Sequence, residues 1–145
     1  MILPVTLTIA AACAAINLWL ALRVTSGRLA QGKMSGNGGD EMLQVAGRAH
    51  ANFTEYAPFV LILIALIELA GGSPTWLWAI GALFVVARVA HPLGMYRPAP
   101  NPLRAGGIIV TWLTLAILAG WALTFAYGGA VPRTIEAVQV ETLRG

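Results

Sequence analysis

The sequence predicts an all-α integral membrane protein with four transmembrane helices. Of the 145 residues, 58% are hydrophobic and only 10% are charged, which is too apolar a composition for a soluble domain. Four long apolar runs, at about residues 2–22, 53–71, 75–94 and 106–127, each approach the roughly 20 residues that a helix needs to cross the hydrocarbon core of a bilayer. We therefore expect one four-helix domain over residues 1–130 and a short polar tail over residues 131–145.

The first apolar run is predicted to be a retained helix. No basic segment precedes it, and it stays apolar for about 20 residues, unlike a cleaved signal peptide. Asn17 would be costly if it faced lipid, so we expect it to face another helix and to form a hydrogen bond there. Cys13 is the single cysteine, which excludes a disulfide within one chain and is typical of a small buried residue.

A second helix is predicted from about residue 41 to about residue 70. The glycine-rich segment 32–39 indicates a flexible turn region. Asp40 is suited to cap the helix that follows, and Glu41 to lie in its positive first turn. Some 30 residues span roughly 45 Å, which exceeds the hydrocarbon thickness, so residues 41–51 are expected to stand clear of the lipid.

Polar side chains follow one stripe of this helix at the edge of the membrane span. At about 100° per residue, Arg48, Asn52 and Glu55 project together. The apolar run that begins at Phe59 comes directly afterwards. Ionisable residues at such a boundary are a functional hypothesis by default. His50 projects away from the stripe and is expected to contact another subunit or a lipid headgroup.

The third helix carries a second polar stripe at the same end of the predicted bundle. Arg88, His91 and Met95 recur at spacings of three and four residues. Pro92 is expected to kink the last turn, and Tyr96 lies about 80° off the stripe. His91 has no second histidine or carboxylate four residues further on, so no metal site is predicted.

Basic residues indicate which ends of the helices face the cytoplasm. They cluster in two connections, where the sequence has Arg23, Arg28 and Lys33 in the first and Arg97 and Arg104 in the third. The positive-inside rule places both connections in the cytoplasm and both chain ends on the non-cytoplasmic side. Four arginines are then expected to converge as potential anion contacts, namely Arg28, Arg48, Arg88 and Arg104.

Glu68 and the net charge are two further informative features. Glu68 falls near the opposite interface, where we expect it to anchor its helix or to contact another helix. The formal net charge of +3 comes from arginines scattered over two membrane-facing connections, so nucleic-acid binding is not predicted. The membrane surface accounts for this charge.

These motifs resemble those of the MAPEG family, the membrane-associated proteins in eicosanoid and glutathione metabolism. The likeness covers roughly residues 5–127 and is carried by three motifs, Arg48-x-x-x-Asn52-x-x-Glu55-Tyr56, Arg88-Val-Ala-His91, and Arg104. The resemblance implies an antiparallel four-helix bundle that forms a homotrimer in membrane lipids. It also implies that glutathione binds between subunits near the cytoplasmic interface, and that a small apolar substrate enters from the bilayer.

The resemblance further implies roles for individual residues. Arg104 matches the catalytic arginine that lies beside the sulfur in active family enzymes, where a guanidinium favours a thiolate. The residues assigned to glutathione binding are Arg28, Arg48, Asn52, Glu55, Tyr56, Arg88, His91 and Tyr96. Tyr96 adjoins the position at which family enzymes have a tyrosine, and it can reach the site if Pro92 rotates the helix end.

Departures from the family pattern keep several functions open. Met95 replaces a tyrosine and Ala105 replaces a serine, which argues against the prostaglandin reaction. A glutathione-dependent transferase or peroxidase is preferred over a non-catalytic lipid-binding protein, and Glu55 with Arg88 or Arg48 could also be only a lock between helices. A drug–proton exporter is disfavoured because the first helix has no glutamate. The alanine- and glycine-rich composition favours a bacterial chain and therefore an inner membrane.

Overall fold

Four α-helices account for nearly all of the chain that the computed structural model describes, which is residues 2–32, 35–36 and 39–128. The helices are Pro4–Ala30 (α1), Glu41–Leu69 (α2), Pro74–Met95 (α3) and Pro102–Gly128 (α4). All four are long and apolar enough to cross a membrane, which confirms the predicted fold class. Lys33 and the tail at 131–145 lie outside the described residues, so what was predicted for them stays a prediction.

The first helix is longer than its apolar run. The run was expected to end near residue 22, but α1 continues to Ala30, so Arg23 and Arg28 belong to the helix and not to the loop. Nothing between these two arginines breaks a helix, and Arg28 lies in the last turn, where a cation interacts favourably with the helix dipole. Gly32, with a φ of 63°, ends the segment in a left-handed conformation.

The second helix begins and ends where the sequence predicts. Asp40 is its N-cap, and its Oδ1 accepts hydrogen bonds from the main-chain N–H groups of Met42 at 2.8 Å and Leu43 at 3.3 Å. Pro58 lies inside the helix without ending it. Because α2 continues for several turns before its apolar run, the stripe of Arg48 and its neighbours stands at one end of the bundle.

The helices pack as a four-helix bundle in which α1 and α4 lie diagonally opposite each other. Pairs in contact among the described residues are α1–α2, α2–α4, α3–α4, α1–α3 and α2–α3. The core consists of large apolar side chains, among them Phe53, Leu77, Phe84 and Leu118, which are fully or almost fully buried. The outer surface is equally apolar, since Phe59, for example, is 63% exposed. Such a surface fits a bundle whose solvent is lipid.

Two polar contacts between α1 and α2 fix their antiparallel arrangement. At one end, the Glu68 carboxylate accepts bonds from the main-chain N–H groups of Val5 at 3.0 Å and Thr6 at 2.8 Å, and from the Thr6 hydroxyl at 2.6 Å. Nearer the other end, His50 Nε2 donates to Asn17 Oδ1 at 3.0 Å. The helix contacts expected for Glu68 and Asn17 are confirmed. The role expected for His50 is corrected, because its ring binds α1 of its own chain.

Candidate functional site

An open cavity of about 470 Å³ collects most of the predicted polar residues at the end of the bundle that carries the α3–α4 connection. Helices α2, α3 and α4 all contribute to it, and its lining residues are Arg48, Ala51, Asn52, Glu55, His91, Met95, Arg104 and Ile108. We call it the arginine cavity. The cavity therefore brings together the α2 stripe of Arg48, Asn52 and Glu55 with His91 and Met95 of the α3 stripe.

The charged groups of the arginine cavity are exposed, and within the described residues they form no ion pairs with one another. Arg48, Glu55 and Arg104 are all exposed residues. Within the described residues, Glu55 forms no ion pair with Arg48, and the guanidinium of Arg88 bonds to neutral partners instead. The alternative in which Glu55 only locks two helices together is therefore not what the structure shows. Two cations and a carboxylate remain available to a ligand.

Arg88 lies behind the cavity wall and not in the cavity. Its side chain is 0% exposed. Its Nη2 donates to Asn52 Oδ1 at 2.9 Å, and its Nη1 donates to the Thr111 hydroxyl at 3.3 Å. The rings of Phe53 and Tyr56 lie 5.6 and 5.9 Å from its guanidinium carbon, and Nε has no partner among the described residues. Arg88 thus reaches the cavity only through Asn52.

This bond fixes how Asn52 faces the cavity. A guanidinium can only donate, so the Asn52 atom that faces Arg88 must be the carbonyl oxygen. The amide nitrogen with its two N–H donors is then the group left for the cavity. Sequence analysis did not single out Thr111, although its place seven residues after Arg104 puts both on one face of α4.

His91 ties α3 to the first turn of α4. Its Nδ1 lies 2.9 Å from the main-chain oxygen of Arg104, and because that oxygen can only accept, Nδ1 carries the proton. Two glycines allow this close approach. A Cβ at Gly94 would lie 2.3 Å from the Arg104 nitrogen, and one at Gly107 would lie 2.7 Å from the His91 Cβ. His91 therefore helps to hold Arg104 at the rim of the cavity.

Besides Arg88, three residues that were assigned to the site lie outside the arginine cavity. Tyr56 Oη accepts a bond from Trp112 Nε1 at 3.2 Å on the side of α2 that faces α4. The Tyr96 ring stacks on Arg23, with its centroid 4.0 Å from the guanidinium carbon. Arg28 lies on α1, which contributes nothing to the cavity.

The expected convergence of four arginines is therefore wrong for a single chain. Arg48 and Arg104 line the cavity, Arg88 lies behind it, and Arg28 is on a helix that does not reach it. The physical reason is that a helical stripe gives the direction of a side chain but not its depth. Arg88 points toward the cavity, but Asn52 lies between its guanidinium and the cavity.

Comparison with known proteins identifies the family of this chain. A sequence model of the MAPEG family matches residues 6–124, a stretch that enters all four helices. Inner membrane protein YecN of Escherichia coli strain K12 is 33% identical over 99 residues, which cover 63% of this chain and 74% of that protein. The protein of the same name from Escherichia coli O6:H1 strain CFT073 matches with the same identity and coverage. The chain belongs to the MAPEG family of multi-pass membrane proteins.

Proposed function

We propose that this protein is a glutathione-dependent membrane transferase or peroxidase that acts on an apolar electrophile or hydroperoxide. The observation that carries the proposal is the set of unpaired charges in the arginine cavity. Glutathione has two carboxylates, one ammonium and one thiol. The cavity offers two guanidinium groups, the N–H₂ of Asn52 and the carboxylate of Glu55, so each charge of the tripeptide finds an opposite charge or a donor.

The polar groups of the cavity would have different roles, with Arg104 at the thiol and the others at the rest of the tripeptide. A guanidinium is a strong and permanent cation, so a thiol placed beside Arg104 would lose its proton more readily. Each unit by which the thiol pKa falls corresponds to about 1.4 kcal/mol. The thiolate is the nucleophile in either reaction. It attacks an electrophilic carbon, forming a C–S bond as the leaving group departs. With a hydroperoxide it attacks one oxygen, so that an S–O bond forms as the O–O bond breaks and the alcohol leaves, and a second glutathione thiol then displaces water from the sulfenic acid to give the disulfide. Arg48, Asn52 and Glu55 would hold the rest of the tripeptide.

A homotrimer would complete this site. The cavity opens to the outside of a single chain, and α1, with the half-buried Arg28, is the one helix that does not line it. The Nε of Arg28 has no partner among the described residues. We propose that α1 of a neighbouring subunit covers the cavity and that its arginine at this position contacts the bound glutathione. This would reconcile the role assigned to Arg28 with its distance from the cavity in one chain.

The cellular location follows from the spans and the relatives. Four apolar helices and relatives that are named inner membrane proteins support a place in a bacterial inner membrane. The basic residues near the end of α1 and around the α3–α4 connection support our proposal that the arginine cavity faces the cytoplasm and that both chain ends lie on the other side. Glutathione in the cytoplasm and an apolar substrate in the lipid could then meet at this interface.

Separate measurements of binding and turnover test the proposed roles. Arg104→Ala should abolish conjugation of an apolar electrophile while glutathione binding stays largely intact, because its charge acts on the reacting sulfur. Arg48→Ala and Glu55→Ala should instead weaken glutathione binding. Arg97→Ala removes an exposed arginine outside the cavity and is the matched control. Equal, small effects of all four substitutions on turnover would contradict the assignment.

One observation favours a second candidate, a non-catalytic lipid-binding protein. Met95 lines the cavity, whereas Tyr96 is turned away to stack on Arg23, so no tyrosine hydroxyl of α3 enters the cavity. In that case the protein would bind a fatty acid or a lipid derivative and show no turnover. Binding of a fatty acid, with no glutathione binding up to several millimolar and no conjugation or peroxidase activity toward a panel of apolar electrophiles and hydroperoxides, would support this second function.

A further inference from the structure

A second polar cavity lies between the end of α1, the start of α2 and the end of α3. Its volume is about 350 Å³, and its lining includes Arg23, Asp40 and Tyr96 with an apolar wall of Leu43 and Ala46. It shares no residue with the arginine cavity. We call it the Arg23 cavity. The proposed glutathione chemistry makes no use of it.

The Arg23 guanidinium lies over two aromatic rings, and this arrangement leaves its N–H donors available. The guanidinium carbon lies 4.0 Å from the centroid of the Tyr96 ring and 5.8 Å from that of Trp19. Stacking uses the flat faces of the group, while its five N–H donors point outward at its edge. Within the described residues the Arg23 side chain has no carboxylate and no hydrogen-bond acceptor as a partner. Among the described residues, the guanidinium is thus held by stacking and has no acceptor.

Asp40 is the acidic residue that lines this cavity, and its carboxylate already accepts hydrogen bonds. Asp40 Oδ1 accepts from the main-chain N–H groups of Met42 and Leu43, and its Oδ2 accepts from Gln31 Nε2. Its negative charge therefore interacts with the positive N-terminal end of α2, and its carboxylate does not pair with Arg23. An anion that entered the cavity could therefore bind the Arg23 guanidinium, which pairs with no acid of the described part of the chain.

The surroundings indicate a ligand at the lipid headgroup level. Trp19 and Tyr96 are residue types that lie at membrane interfaces, and α1 carries its two arginines at this end. Arg23 also borders a shallow apolar cavity of about 330 Å³ that includes Trp19, Leu22 and Leu29. A ligand held by Arg23 can therefore extend onto apolar surface of α1. A phosphate joined to an acyl chain has this combination of chemistry.

We propose that the Arg23 cavity binds a membrane phospholipid, with its phosphate on the Arg23 guanidinium and an acyl chain against Trp19 and Leu22. Planar guanidinium groups bind phosphate through two parallel hydrogen bonds. Basic pockets between transmembrane helices on the cytoplasmic side are known positions for lipid headgroups. Within one chain the two cavities have no residue in common, and Arg23 is not among the residues assigned to glutathione, so the two sites can be tested separately.

Native mass spectrometry of the purified, delipidated protein in detergent tests this proposal. Phosphatidylglycerol is added, and a diacylglycerol with the same chains serves as the probe without phosphate. Wild type and Arg97→Gln are expected to retain the phospholipid, because Arg97 is exposed and outside the cavity. Arg23→Gln, which loses the same charge, should bind it about tenfold more weakly. Arg23→Gln should leave glutathione binding unchanged.

Three results would overturn the proposal. Arg23→Gln could retain the phospholipid as well as wild type does, or the diacylglycerol could bind as tightly as the phospholipid. Inorganic phosphate could also bind Arg23 alone and displace the lipid, which would make the ligand a soluble phosphate. If Arg23→Gln does not fold, Arg23→Lys keeps the charge. Its ammonium cannot donate in a bidentate manner, so binding weaker than wild type supports the proposal and equal binding refutes it.

Discussion

Substitution of Gly94 by alanine should displace the first turn of α4 and with it Arg104. A Cβ at this position would lie 2.3 Å from the Arg104 nitrogen, 2.8 Å from its Cα and 2.9 Å from the Leu103 carbonyl carbon, all below the 3.0 Å that Cβ atoms keep in practice. All three contacts are main-chain atoms, so no side chain can rotate out of the way. The start of α4 must therefore move by roughly the missing distance, several tenths of an ångström to about 1 Å.

The size of the effect can be estimated on two independent scales. Overpacking of this kind costs about 1–3 kcal/mol of stability, which should appear as a lower unfolding temperature in detergent. A misplacement of about 1 Å at a catalytic group lowers turnover by about a hundredfold, which a glutathione-conjugation assay with an apolar electrophile measures. The first expectation depends on the fold alone, whereas the second also depends on the proposed function.

Gly106→Ala is the matched control for Gly94→Ala. It adds the same methyl group to the first turns of α4, but no atom lies within 4 Å of the new Cβ. Alanine is also the better helix former, by about 1 kcal/mol, so this variant should be at least as stable as wild type. If Gly94→Ala unfolds at the same temperature as Gly106→Ala and turns over equally fast, the tight α3–α4 contact does not position Arg104.

Four further substitutions test contacts made by three other residues. His91→Asn keeps an N–H donor near the position of Nδ1 and should retain most of the turnover, whereas His91→Gln moves the donor away from the Arg104 carbonyl and should lose it. Equal activities would show that this hydrogen bond is unimportant. Arg88→Leu leaves Asn52 and Thr111 without their buried donor and should cost about 1–3 kcal/mol in unfolding experiments and weaken glutathione binding; an unchanged unfolding temperature would contradict this. Glu68→Gln weakens three bonds to α1 and should lower stability by about 1–2 kcal/mol with no effect on glutathione binding, which lies at the other end.

The helices and the grouping of the polar residues could be predicted because both depend on local periodicity. Apolar runs of membrane length determine the number of spans, and the Asp40 cap determines the start of α2. The end of α1 was missed because hydropathy falls at Arg23, while the helix continues to Ala30. Hydropathy reports where the lipid ends, and a helix need not end there.

The burial depth of a side chain and the close approach of two helices could not be predicted, because both depend on partners far away in the sequence. The sequence places Arg88 on the correct face of α3, but its burial behind Asn52 requires Thr111 on α4 as a second acceptor. Nothing in the sequence around Gly94 indicates that a side chain is excluded there, because the exclusion comes from the main chain of α4. Tyr96 was expected to be able to reach the site, but it turns toward Arg23, 73 positions earlier in the chain.

Calorimetric titration of the purified protein with glutathione tests the central claim most directly. Wild type and Arg97→Ala should bind glutathione, and Arg48→Ala should bind it about tenfold to a hundredfold more weakly, because one charged hydrogen bond contributes about 1.5–3 kcal/mol. This result would establish the arginine cavity as a glutathione site. No binding to wild type up to several millimolar glutathione, or equal binding to wild type and Arg48→Ala, would contradict the claim.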